Sequence, residues 1–135
     1  MSVKKFFATT DTTITNAFKE DLTTRGTDAN MGLSDSLEIF YIFGQTPDPE
    51  ATEENKREEA RIIIKFDTDD VKENYNNVFP QNVKFVLKMS NAEHPYTLPR
   101  GYNVNVYALA ETFVEGQGLD MESYQDEGPA SWTNR

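Results

Sequence analysis

The chain has 135 residues and no cysteine, which is enough for one domain with a single core and rules out disulfides and thiolate metal sites. Lysine and arginine total 13 against 23 aspartate and glutamate, and the net charge of −10 repels phosphate backbones and anionic membranes, so neither nucleic acid nor membrane is an expected partner. Hydrophobic content of 37% with 27% charged residues describes a chain with long polar loops, and no apolar run approaches the roughly 20 residues that cross a bilayer.

In chain order, Met1 to Phe7 carries two lysines but only a short apolar stretch, short of a signal-peptide core, so synthesis and folding in a cytoplasm is the expectation. Val3 to Phe7 reads as an edge strand and Asp11 to Thr15, rich in β-branched residues, as a second strand. Asn16 to Asp35 loses periodicity and gains Thr, Asn, Asp and Gly, the composition of a long ordered loop with turn glycines Gly26 and Gly32. Ser36 to Phe43 reads as a strand with Leu37, Ile39, Tyr41 and Phe43 on one side. Its other side carries Phe40 and Ile42 beside Ser36 and Glu38, so these two either lie under a covering segment or mark a subunit interface. Gln45 to Glu59 holds Pro47, Pro49 and a dense acidic group, the marks of a solvated hairpin connection.

Arg61 to Phe66 alternates cleanly, with Ile62, Ile64 and Phe66 on one face and Arg61, Ile63 and Lys65 on the other. Asp67 to Tyr75 opens with capping residues and places acids in the first turn, which predicts a short helix. After Pro80 the chain turns extended again, and Val83 to Met89 repeats the strand pattern with Val83, Phe85, Leu87 and Met89 opposite Lys84 and Lys88. Asn91 to Gly101 is a wide connection with Pro95, Pro99 and the lone histidine His94, and Asn103 to Ala108 is the last patterned run before an acidic, turn-rich tail. Period-two patterning of this extent predicts an all-β antiparallel sandwich with one short helix and long loops, in a single domain spanning 1–135.

The inventory for chemistry is thin. One histidine and no thiol supply neither a nucleophile–base pair in an elbow context nor a usual zinc set, so no catalytic residue is assigned, no cofactor is expected and the chain reads as a non-enzyme. Asp120, Glu122 and Asp126 crowd a glycine-containing stretch and are weak candidates for calcium, because hard oxygen ligands suit that ion although the spacing departs from an EF-hand. Tyr96, Tyr102 and Tyr124 are candidates for stacking on the apolar faces of sugars.

Asp11-Thr12-Thr13-Ile14, Asn30-Met31-Gly32-Leu33-Ser34 with Leu37, and Arg61-Ile62-Ile63-Ile64-Lys65-Phe66-Asp67 follow one another in an order that resembles the DNRLRE-type jelly-roll domains, which are labelled carbohydrate-binding-module-like. Val114-Glu115-Gly116 and Ser131-Trp132 resemble that family's closing Glu-Gly turn and terminal tryptophan, although Phe113 and Val114 stand where the family has a tryptophan before Glu-Gly. Asp11 to Phe18, Leu22 to Thr27 and Gly118 to Tyr124 are similar to the version found in structural proteins of marine tailed bacteriophages. The resemblance implies a jelly-roll sandwich made in a host cytoplasm and residing in a virion, most simply as a capsid decoration or cement protein. Its implied partners are other virion proteins, such as a major capsid or tail protein, and further copies of itself. It also implies further strands after Trp132, supplied either by a neighbouring chain or by a part of the protein outside this sequence. Phe40, Ile42, Val114 and Trp132 are the interface candidates. Attachment to host glycans through Tyr96, Tyr102 and Tyr124 is the alternative.

Overall fold

The computed structural model describes residues 3–75, 84–93, 101–125 and 128–134. Among these, regular structure consists of three strands, β1 (Ala8–Thr15), β2 (Phe40–Phe43) and β3 (Arg57–Phe66), and one helix, α1 (Thr68–Tyr75). The strands form one antiparallel sheet in the order β1-β3-β2, so the longest strand is central and the described part of the chain is of the all-β kind with a single short helix.

Register follows from the side chains. Thr13 pairs with Ile62 and Asp11 with Ile64, while on the other side of β3 Phe40 pairs with Ala60 and Ile42 with Glu58. Residues directly opposite one another share a face in an antiparallel pair. One face of the sheet therefore carries Phe40, Ile42, Glu58, Ala60, Ile62, Ile64 and Phe66. The other carries Tyr41, Phe43, Arg57, Glu59, Arg61 and Ile63. The pairing slips between Ala8 and Thr10, a bulge that ends the regular ladder next to Phe7.

β3 begins at Arg57, four residues before the expected start, and absorbs the end of the acidic connection. Its strand partners on both sides force this extension: Glu59 N–H is held by Asn16 Oδ1 at 2.7 Å, Thr15 Oγ1 donates to Glu59 O at 2.8 Å, and Tyr41 faces Glu59 across the ladder. β2 is shorter than the expected strand from Ser36, because Glu38 N–H leaves the sheet direction to donate to Thr13 Oγ1 at 2.9 Å. The helix falls where its start signals put it, with Asp67 Oδ1 accepting Asp69 N–H at 2.9 Å as an N-cap.

Three expected strands are absent from the sheet. Val3 to Phe7, Lys84 to Met89 and Asn103 to Ala108 carry no strand assignment, and Val83 lies outside the described residues. Alternation assigns side chains to faces but does not name the neighbour that completes a ladder, and a strand is defined by that pairing. Pro80, His94, Pro95, Pro99, Tyr96, Asp126 and Glu127 also fall outside the described residues.

Among the described residues, the fully buried side chains are small or polar. Ala17, Ala29, Met31, Ala60 and Ala130 are the buried apolar residues, and Thr12, Thr13, Thr15, Asn30, Glu58 and Ser131 are buried beside them. Small side chains allow backbones to approach, and the hydroxyls and the amide are satisfied by nearby main chain, so hydrogen bonding carries much of the local specificity.

Candidate interaction surface

The long loop and the tail are joined at Asn30. The Asn30 side chain is fully buried, its Nδ2 donates to Glu115 O at 2.7 Å, and its Oδ1 accepts Gly118 N–H at 2.7 Å and Gly32 N–H at 3.3 Å. The main chain continues the join, with Asn30 N–H donating to Tyr124 O at 3.0 Å and Leu33 N–H to Gly118 O at 2.8 Å. Two glycines make the approach possible. A Cβ on Gly118 would stand 1.9 Å from Asn30 O, and Gly116, at φ +82°, has Asn30 Nδ2 at 2.1 Å from the same position. Glu115 reaches back from this turn to the sheet, its Oε1 accepting Asp11 N–H of β1 at 2.8 Å. The two motif segments around Asn30 and Glu115 thus meet where Gly116 and Gly118 leave room for the Asn30 side chain and main chain.

A second join sits at the other end of the loop. Arg25 donates from Nη1 to Asn16 O at 2.6 Å and to Arg57 O at 3.0 Å, from Nη2 to Asn55 O, and lies 4.1 Å from the centre of the Phe18 ring. Nothing in the sequence pattern singled out Arg25. Next to it, Glu58 Oε2 accepts Phe18 N–H at 2.9 Å, while Oε1 of the same fully buried carboxylate has no partner among the described residues.

The calcium candidates have other duties. Asp120 Oδ1 accepts Glu122 N–H at 2.9 Å and Ser123 N–H at 2.8 Å, an Asx-type turn, and Glu122 Oε1 accepts Glu20 N–H at 2.7 Å. Both carboxylates therefore tie backbone together, and among the described residues no group of three or more acidic, histidine or cysteine side chains is placed to hold a metal ion.

A neighbouring turn has the strongest titration feature. Asp21 accepts Thr24 Oγ1–H at 2.6 Å and the amides of Thr24 and Thr23 at 2.7 and 2.8 Å, and these donors, the Thr24 hydroxyl foremost, hold its carboxyl well below the usual carboxylate range. The lowered value means the bonds stabilise the turn above the ordinary 3.8 and lose that contribution as pH falls below it. An NMR titration of the side-chain carboxyl should show no Asp21 transition near 3.8, and Asp21→Asn should remove the pH dependence of the 21–24 turn. An ordinary titration curve for Asp21 refutes the assignment.

The four interface candidates do not form one patch. Phe40 and Ile42 are half-buried on the Ile62–Ile64–Phe66 face, in keeping with the covering-segment reading. Trp132 is half-buried on the opposite side, its ring 4.4 Å from the Arg61 guanidinium carbon. Val114 is exposed and its carbonyl accepts Ala130 N–H at 2.8 Å, holding the tail that carries Trp132. Of the glycan candidates, Tyr102 is exposed, Tyr124 is half-buried beside the Asn30 join, and Tyr96 lies outside the described residues.

The β2 region contributes three of the large exposed apolar side chains. Ile39, Tyr41 and Phe43 are 48%, 61% and 50% exposed. Gly44 N–H donates to Lys56 O at 2.9 Å, which sets the phase of the ladder. By alternation the Phe40 and Ile42 main chain turns toward β3 and that of Tyr41 and Phe43 turns outward. No described residue meets those outward groups, so among the described residues β2 is the edge of the sheet. Phe40-Tyr41-Ile42-Phe43 contains no lysine, proline or other charge, the devices that normally blunt such an edge. On the sheet face behind it, Ile62, Ile64 and Phe66 line an open groove of about 480 Å³ together with Leu37, Leu87 and Met89.

Among the described residues, no helix is long and apolar enough to cross a membrane. Comparison of the chain with protein-family models, with curated proteins and with solved structures finds no match.

Proposed function

We propose that this chain is a non-enzymatic structural protein of a bacteriophage virion, folded as a jelly-roll sandwich and serving as a capsid decoration or cement protein through protein–protein contacts. The observation that carries the reading is the uncharged edge that β2 forms among the described residues, with Ile39, Tyr41 and Phe43 about half exposed. Such an edge is an aggregation hazard for a free monomer and an asset for a subunit that is covered on assembly. The three-stranded sheet serves as one layer of the sandwich, and the groove between Ile62, Ile64, Phe66 and Leu87, Met89 is where the second layer packs. The phage assignment rests on the family resemblance of the Asp11–Ile14, Asn30–Leu33 and Glu115–Gly116 segments. Many copies on one particle turn modest contacts into firm attachment. Glycan attachment through Tyr96, Tyr102 and Tyr124 is the alternative reading; of these Tyr102 is exposed and Tyr124 half-buried.

The test is location. Antibody raised against the purified chain should label intact particles of the encoding phage, and the protein should co-sediment with them through a density gradient at a fixed copy number. Its absence from purified particles overturns the proposal.

A further inference from the structure

We infer that the β2 edge pairs with the β2 edge of a second copy of this chain, antiparallel about a two-fold axis at Ile42, so that the sheets of two copies run on as one. The inference rests on the reading of that edge as an assembly surface and adds its occupant and register.

Hydrogen-bond parity sets the register. Gly44 N–H donates to Lys56 O, and with Phe40 opposite Ala60 and Ile42 opposite Glu58 the even-numbered residues spend their main chain on β3. The main chain of Tyr41 and Phe43 points the other way and meets no described residue. An antiparallel neighbour exchanges both hydrogen bonds only with outward residues, so Tyr41 and Phe43 must each stand opposite an outward residue of that neighbour. β2 meets this demand against itself in one register. Tyr41 pairs with the partner's Phe43, Phe43 with the partner's Tyr41, and Ile42 meets the partner's Ile42 on the axis.

Side chains and charge select a second copy as the occupant. Opposed residues share a face, so the exposed Tyr41 and Phe43 rings of the two copies join in cross-strand aromatic pairs. On the reverse face Phe40 stands opposite the partner's Gly44, a residue with no side chain and with open space where a Cβ would lie. A large ring therefore faces a vacant position, twice by symmetry. Ile39 to Pro47 carries no charge although the chain carries −10, so two acidic copies meet where they do not repel. A two-fold contact is isologous and closes at two copies, which leaves neither β2 edge bare.

The experiment places a cysteine on the axis. The chain has none of its own, and residues in a non-hydrogen-bonded antiparallel pair lie about 4.5 Å apart at Cα, within reach of a disulfide. Under mild oxidation of the full chain, Ile42→Cys should form a covalent dimer at least about tenfold faster than Leu119→Cys, an exposed position outside the sheet. Sedimentation velocity of the wild type should show a reversible monomer–dimer equilibrium that strengthens with added salt, because screening weakens the repulsion between acidic copies. Gly44→Asn, with circular dichroism confirming the wild-type fold, should weaken dimerisation at least about tenfold: asparagine tolerates the φ of +82° and finds open space in one copy, but takes the place of the partner's Phe40. Tyr41→Pro, which blocks an outward amide without removing a β2–β3 bond, should abolish dimerisation. A wild type that stays monomeric up to about 1 mM, Ile42→Cys that cross-links no faster than Leu119→Cys, or Gly44→Asn that dimerises like wild type each overturns the inference. If the chain is monomeric yet bound to virions, this inference falls and the structural role stands; if it dimerises as described but is missing from virions, the structural role falls and the contact stands.

Discussion

Asn30→Ala should destabilise the protein by about 2–4 kcal/mol, because one buried and two part-buried main-chain groups lose a side-chain partner and each fully buried unsatisfied group costs about 1–3 kcal/mol. The groups are Glu115 O, Gly118 N–H and Gly32 N–H. A loss of that size is a large share of the 5–15 kcal/mol that holds a typical domain together. Asn30→Asp separates shape from hydrogen bonding. The isosteric carboxylate still accepts from Gly118 N–H but turns a lone pair toward Glu115 O where Nδ2 donated. Its folded-state affinity for a proton is therefore raised, so this variant should gain stability relative to wild type as pH falls and lose it as pH rises. Gly118→Ala should match Asn30→Ala, since its Cβ meets backbone 1.9 Å away and backbone yields less readily than a side chain. The lone tryptophan, Trp132, sits in the tail that this join retains, so its fluorescence during thermal unfolding reads the effect. Wild-type melting of Asn30→Ala and Gly118→Ala would show that the join is incidental.

The residues that fold by local rules were readable from sequence. Asp11 to Thr15 pairs as a β-branched run should, Arg61 to Phe66 alternates as written, and Asp67 caps the helix from the position its side chain favours. Glu58 and Glu59 were misplaced because two adjacent glutamates read as solvent-facing loop, whereas Glu58 is fully buried and Glu59 half-buried between two partner strands. Tertiary pairing overrides composition there. Phe40 and Ile42 were seen as anomalous, but the sequence carries no information on which face of a short strand receives cover. The face that stays open is that of Tyr41 and Phe43.

The same limit explains the two patterned runs that form no strand. Lys84 to Met89 and Asn103 to Ala108 declare which side chains belong together but not the partner that completes their hydrogen bonds. The Asn30 join was legible in part, since its glycines and asparagine belong to segments already singled out. The Arg25 join was not, because a guanidinium bound to backbone carbonyls leaves no spacing rule in the chain.

Arg25→Ala should cost about 2–4 kcal/mol, and Arg25→Lys should recover less than half of that. The guanidinium spans three carbonyls from two separate segments, Asn16 O on the loop and Arg57 O and Asn55 O at the start of β3. A planar fork serves several acceptors at fixed angles while its face lies on the Phe18 ring 4.1 Å away. An ammonium is a single point that reaches one carbonyl and stacks poorly, so retaining the charge does not retain the join. The loss should be felt beyond the loop. Phe18 N–H is the partner of Glu58 Oε2, and Glu58 stands opposite Ile42, so slackening at Arg25 frees the buried carboxylate at the β2–β3 ladder. Hydrogen exchange should then quicken at Phe18, Ile42 and Gly44 in Arg25→Ala while the β1–β3 amides near Ile64 keep wild-type protection. Uniform quickening across the sheet, or full rescue by lysine, would refute a local role for the fork.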